Sequence, residues 1–281
     1  MKTNPMKNQL QGKNVIVTGA GRGIGQGIAI ILAERGANIV VSDVNLDAAE
    51  AVVKSIKNNG GKAISLEADV TNKESMNDLV INSVKEFGRI EICVPNAGVI
   101  GASGFVDRTN YNDEDWALTF DINVLGLVRT VEAITPHMKE MGGGKIVNIA
   151  SHGGRVPRGM PEIGKGNMQM PYSVSKAGAI QLTHLMAVEL GQYNINVNVV
   201  CPGTLWTPMW EKIASNLKKQ NPTLNHLTPR EIFDHNIRTR MPLGREQTPE
   251  DIGKTVAFLA SDDASEITGQ AINVNGGAVM S

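Results

Sequence analysis

The chain has 281 residues, 41% hydrophobic and 20% charged, with a formal net charge of −1. That length can bury one full core, and the near-neutral balance gives no reason to expect nucleic acid or an acidic membrane surface as a partner. No apolar run approaches the roughly 20 residues of a membrane span, and the polar stretch Met1 to Gly12 carries no secretory pattern, so a cytoplasmic protein without a membrane partner is expected.

Asn14-Val15-Ile16-Val17-Thr18 is a short β-branched run suited to a buried strand. The turn Gly19-Ala20-Gly21-Arg22-Gly23-Ile24-Gly25 follows, then an apolar helical pattern stopped at Gly36, then a second buried strand, Ile39–Asp43. Strand, glycine turn, helix and strand make a βαβ unit, from which parallel sheets are built. The alternation goes on through a helix at Leu46–Asn59, a strand at Ala63–Leu66, and a helix opened by a Thr71–Glu74 capping box and ending near Phe87. A strand at Ile90–Val94, a long helix from Asp113 to Met141 with Pro136 as a kink, and a strand at Lys145–Ala150 come next. Pro171 suits the first turn of another helix, before a sixth strand at Ile195–Cys201. Residues 204–247 break the rhythm with short helical pieces, one opened by a capping box at Thr228–Glu231; Thr248–Asp251 opens a last helix, and Ala271–Val274 is a last strand. The pattern predicts one α/β domain over residues 1–281: a doubly wound, parallel seven-stranded sheet with helices on both faces.

Cys93 and Cys201 lie in the strand-like runs and are expected as reduced core side chains. His137, His152, His184, His226 and His235 have no tight ligand spacing, so no metal is expected.

The glycines at 19, 23 and 25 offer a tight turn, close backbone approach and a helix N-terminus, which are the requirements of a pyrophosphate site. Asp43, ending the second strand, can accept bonds from adenosine ribose hydroxyls and repel a 2′-phosphate, favouring NAD over NADP. Arg22 in the turn pulls the other way. Tyr172 and Lys176 stand four apart on a helix, close enough for the ammonium to make the phenol more acidic.

With these motifs in order, the chain resembles the classical short-chain dehydrogenase/reductase family over nearly all its length. The family turn Thr-Gly-x-x-x-Gly-x-Gly is matched by Thr18 to Gly25, and Asn96-Ala97-Gly98 follows the fourth strand, with Pro95 where the family carries another Asn. The resemblance implies a Rossmann-like fold and a catalytic tetrad of Asn123, Ser151, Tyr172 and Lys176. It implies dinucleotide contacts from Gly19, Arg22, Gly23, Ile24, Gly25, Asp43, Asp69, Val70, Asn96, Ala97, Gly98, Tyr172, Lys176, Pro202, Gly203 and Thr207. In the implied mechanism Tyr172 is the general acid/base, Lys176 lowers its pKa and binds ribose, Ser151 steadies the substrate oxygen, and Asn123 holds a relay water. A homotetramer or homodimer is implied as well.

The expected activity is NAD-dependent hydride transfer with a small-molecule secondary alcohol or ketone. The stretch between Ser151 and Tyr172 is longer than the family's; its Arg155, Arg158 and Lys165 against Glu162 suggest a loop over 155–166 that selects an anionic substrate, or one whose charges face only water. Residues 204–247 are expected to form a substrate lid, with Trp206, Met209 and Trp210 packing on the substrate or within the protein. Its polar Lys212, Asn216, Lys218 and Lys219 point to a polyol, sugar alcohol or small hydroxy compound. A 3-oxoacyl thioester reductase and a non-catalytic dinucleotide-binding sensor are the alternatives.

Overall fold

The computed structural model describes residues 8–105, 111–156 and 170–280. Seven parallel strands form one sheet in the order β3-β2-β1-β4-β5-β6-β7. They are β1 (Asn14–Thr18), β2 (Asn38–Asp43), β3 (Lys62–Glu67), β4 (Ile92–Val94), β5 (Gly144–Ile149), β6 (Ile195–Pro202) and β7 (Ala271–Val274). The chain winds outward from β1 to β3, then returns to β4 on the other side of β1. The ends of β1 and β4 therefore part at a switch point, where open α/β sheets bind ligands.

Because side chains alternate along a strand, the two faces collect separate cores. Val15, Val17, Val41 and Val147 pack under α1 (Gly23–Glu34), α2 (Leu46–Asn58) and α9 (Pro249–Leu259). Ile16, Val40, Cys93, Ile146 and Cys201 pack under α3 (Lys73–Phe87), α5 (Gly126–Glu140) and α6 (Met170–Leu190). Both cysteines are buried and free. Each large side chain buried this way contributes about 1.5–3 kcal/mol. Among the described residues no helix is long and apolar enough to cross a membrane.

Three sequence expectations shift. The fourth strand begins at Ile92, not Ile90, because the Ile90 N–H is taken by His137 Nε2 at 3.0 Å. The cap of α3 is Asn72, whose side chain accepts from Ser75 N; Thr71 instead donates its hydroxyl to Asp69 Oδ1. The long helix is divided: α4 (Asp113–Phe120) runs through a π-helical turn, Asp121–Leu125, into α5. Pro136 lies inside α5.

Between β6 and α9, helices α7 (Pro208–Gln220) and α8 (Pro229–Arg240) enclose a small core of Phe233, Ile237 and Met241. Capping boxes at Thr228 and Thr248 open α8 and α9.

Candidate active site

Thr18 and Asn96 join the ends of β1 and β4. The Thr18 hydroxyl accepts from Asn96 N and Ala97 N, and Asn96 Nδ2 donates to the Thr18 and Gly19 carbonyls at 2.9 Å. Pro95 lacks a donor, yet its carbonyl accepts from Ile149 N at 3.0 Å, so pairing toward β5 survives. Gly19 and Gly23 have φ of 61° and 59°, the left-handed region that glycine adopts without strain. A Cβ on Gly25 would lie 2.3 Å from the Gly19 carbonyl, so only glycine allows the turn to close. Ile24 packs on the core below, and Arg22, the N-cap of α1, makes no side-chain cap. The first turn of α1 also carries no acidic residue, leaving a helix N-terminus suited to a pyrophosphate. The turn and its helix thus fit a dinucleotide.

Asp43 is anchored at the rim of this turn: Oδ2 accepts from Gly21 N at 2.9 Å and Oδ1 from Asn45 N at 3.1 Å. Asp69 Oδ1 closes the entry to α3 through Thr71, while Val70 is buried against Gly126. On the far side, Gly203 N donates to the Val274 carbonyl, extending the turn after Pro202, and Thr207 caps α7 through Trp210 N.

The four tetrad positions come from three parts of the fold. Asn123 lies in the π-turn, 2% exposed; its Oδ1 accepts from Val99 N, and its Nδ2 donates to the Val99 carbonyl and to Ser175 Oγ. Ser151 follows β5, and its Oγ accepts from Gly153 N. Tyr172 and Lys176 lie on successive turns of α6. Lys176 is 4% exposed and donates to the Ile149 carbonyl at 2.9 Å. A Cβ on Gly98 would stand 3.2 Å from Asn123 Oδ1 and 3.3 Å from Lys176 Nζ, so the bare Gly98 backbone faces both polar groups.

One electrostatic expectation is corrected. Lys176 Nζ lies 5.7 Å from the centre of the Tyr172 ring but does not make the phenol acidic here. Burial raises the Tyr172 pKa, a hydrogen bond with Ser151 lowers it in part, and Cys201 raises it further. Burial also lowers the Lys176 pKa to about 8.

Arg155 is bonded within the protein. Its Nη1 donates to the Ala271 carbonyl at 2.6 Å, and it hydrogen-bonds Cys201 below the tetrad. Arg158, Glu162, Lys165 and the Met209 side chain lie outside the described residues. Trp206 and Trp210 pack edge-on against Phe233, at 5.1 and 5.4 Å between ring centres, and Arg230 stacks over Trp206. Among the described residues no group of three or more His, Cys, Asp or Glu side chains is placed to hold a metal. Sequence reasoning missed Thr18, Arg155 and Ser175 as organisers; a hydroxyl three residues after Tyr172 was visible, but its partner on a distant element was not.

A glycine turn open to a dinucleotide, beside a Ser, Tyr and Lys cluster, belongs to an oxidoreductase acting on CH–OH or keto groups with a nicotinamide dinucleotide. The family model described as enoyl-(acyl carrier protein) reductase matches residues 19–279. The 3-oxoacyl-[acyl-carrier-protein] reductase of Thermotoga maritima is 32% identical over 97% of this chain and 100% of its own. The (2S)-[(R)-hydroxy(phenyl)methyl]succinyl-CoA dehydrogenase subunit BbsD of Thauera aromatica is 34% identical over 95% of this chain and 97% of its own. Among solved structures, a 7α-hydroxysteroid dehydrogenase complexed with NADH and 7-oxo glycochenodeoxycholic acid superposes with a TM-score of 0.80, at 33% identity over 99% of each chain. The chain belongs to the classical short-chain dehydrogenase/reductase family.

Proposed function

We propose that the protein is an NAD-dependent oxidoreductase of a small, polar secondary alcohol or its ketone. The observation that carries the reading is that Ser151, Tyr172 and Lys176 share one site, joined to the glycine turn through Ala97 against Gly19 and Gly98 against Lys176. A bound nicotinamide would give or take the hydride. Tyr172 exchanges a proton with the substrate oxygen; at neutral pH its raised pKa leaves the phenol protonated, the state that carbonyl reduction needs. Ser151, already hydrogen-bonded to Tyr172, donates to the same substrate oxygen and steadies its developing charge. Lys176 orients the ribose and, with a pKa of about 8, can pass protons. Asn123 spends its amide on Val99 and Ser175, leaving one Oδ1 lone pair for a relay water over Gly98.

NAD is proposed over NADP because Asp43 is held by Gly21 N at the turn's rim, where its charge opposes a 2′-phosphate. Asp69 and Val70 flank the adenine side, and Pro202, Gly203 and Thr207 the nicotinamide side. Residues 204–247 serve as the lid. A polar substrate is favoured because the lid's tryptophans are spent on Phe233, leaving less apolar surface for a ligand. Reduction of a 3-oxoacyl thioester is the second reading, supported by two relatives named for acyl-carrier-protein and CoA substrates. A non-catalytic sensor is disfavoured by a tetrad with every position filled. A homodimer or homotetramer is part of the proposal, to be measured by light scattering.

The test is absorbance of reduced nicotinamide, using NADH and NADPH each with a panel of polyol-derived ketones, oxo acids and acetoacetyl-CoA. Turnover with NADH on small ketones is expected; preference for NADPH and acetoacetyl-CoA selects the second reading, and no turnover on any member removes both.

A further inference from the structure

Ser175 stands between Tyr172 and Lys176 in sequence but points to a third element. It is fully buried, and its Oγ accepts a hydrogen from Asn123 Nδ2 at 2.9 Å while donating its own to the Tyr172 carbonyl at 2.7 Å. The other Nδ2 hydrogen of Asn123 goes to the Val99 carbonyl at 2.8 Å, and Val99 N returns a bond of equal length to Oδ1. An unbroken chain thus runs from the segment after β4, through the π-turn, into the first turns of α6. A buried serine bonding back to its own helix is common and needs no outside partner. This one accepts from a different element, so both capacities of the hydroxyl are engaged, and bonds in such a chain polarise one another.

We propose that Ser175 is a positioning residue for hydride transfer, clasping the π-turn of Asn123 to the helical turn that carries Tyr172. The clasp keeps the Tyr172 phenol in register with Ser151 and keeps Asn123 Oδ1 facing Lys176 across Gly98. Without the hydroxyl, one Nδ2 hydrogen of a buried amide loses its acceptor, and the π-turn is free to rotate away from α6. The catalytic part of this inference rests on the reading given under Proposed function; the structural part does not.

The experiment compares wild type, Ser175→Ala and Ser175→Thr. Hydrogen–deuterium exchange of the free proteins is followed in peptides covering residues 96–105 and 119–127. NADH binding is measured by fluorescence, and turnover by the ketone panel with NADH. In Ser175→Ala, faster exchange confined to those two peptides is expected, with NADH affinity within about twofold and turnover lowered about tenfold or more, since small misplacement of catalytic groups is costly. Ser175→Thr, which keeps the hydroxyl, is expected to restore both. Unchanged exchange in the two peptides, or wild-type turnover in Ser175→Ala, overturns the proposal. If wild type turns over no ketone, the functional reading fails, and the exchange result alone still decides the clasp.

Discussion

Lys176 Nζ is tied to the Ile149 carbonyl at 2.9 Å, two residues before Ser151, rather than to the Tyr172 phenol. The ammonium thus braces the strand end that presents Ser151, and it does so as a buried charge.

That burial predicts a pH signature. Folding lowers the Lys176 pKa from 10.5 to about 8, so between those values the unfolded chain holds a proton the folded chain has released. Stability from this group therefore rises with pH across the window; below about pH 8 the cost of the buried charge is fully present. Lys176→Met removes that cost but leaves the Ile149 carbonyl without its donor. Relative to wild type, the variant is expected to lose on the order of 3 kcal/mol between the two pKa values. Urea melts at both ends of the window check this, and a difference independent of pH would sink it.

Tyr172→Phe keeps the ring and removes only the proton-exchanging hydroxyl. Turnover is expected to fall roughly 10²–10⁴-fold, the usual range for a lost general acid, with NADH affinity nearly unchanged. Full turnover in a stopped-flow hydride-transfer assay would remove Tyr172 from the mechanism.

Asp43→Asn takes away the charge that opposes a 2′-phosphate and keeps a side-chain oxygen of the same length to accept from Gly21 N. The ratio of kcat/KM for NADH to that for NADPH is expected to drop at least about tenfold, which corresponds to about 1.4 kcal/mol. An unchanged ratio would show that Asp43 serves the glycine turn alone.

Arg155→Met separates the two roles open to that side chain. Its bonds to the Ala271 carbonyl and Cys201 predict a stability loss of about 1–3 kcal/mol with the Michaelis constant for the ketone unchanged. A raised Michaelis constant at wild-type stability would return Arg155 to substrate selection.

The strands and their order along the chain were legible because each is a short β-branched run between turn signals. Asn14–Thr18 and Ala271–Val274 fall where expected. The lateral sheet order was not written in any one segment; it follows from crossovers and packing. At the site, Tyr172 and Lys176 were legible because helical spacing fixes their proximity. Their electrostatics were not, because burial, which no spacing reveals, outweighs the neighbouring charge. Arg155 illustrates the same limit: its charge is plain in the sequence, but its commitment to Ala271 depends on a residue far along the chain. The π-turn escaped for a different reason, since Asp121-Ile122-Asn123-Val124-Leu125 has ordinary helical composition.

That turn has a consequence for how the site is encoded. The backbone stays right-handed helical through Phe120, Asp121, Leu125 and Gly126, so α4 and α5 are one rod with a local widening. A π-turn is in effect one surplus residue, and each residue of a helix advances the side chains by about 100°. Deleting a single codon within 121–125 would leave a straighter helix with much the same composition. Because the widened turn absorbs that surplus, the helices on either side would keep their facing, and the change would fall on the turn itself, parting Asn123 from Val99 and Ser175. The placement of this asparagine is thus stored as a length as much as an identity.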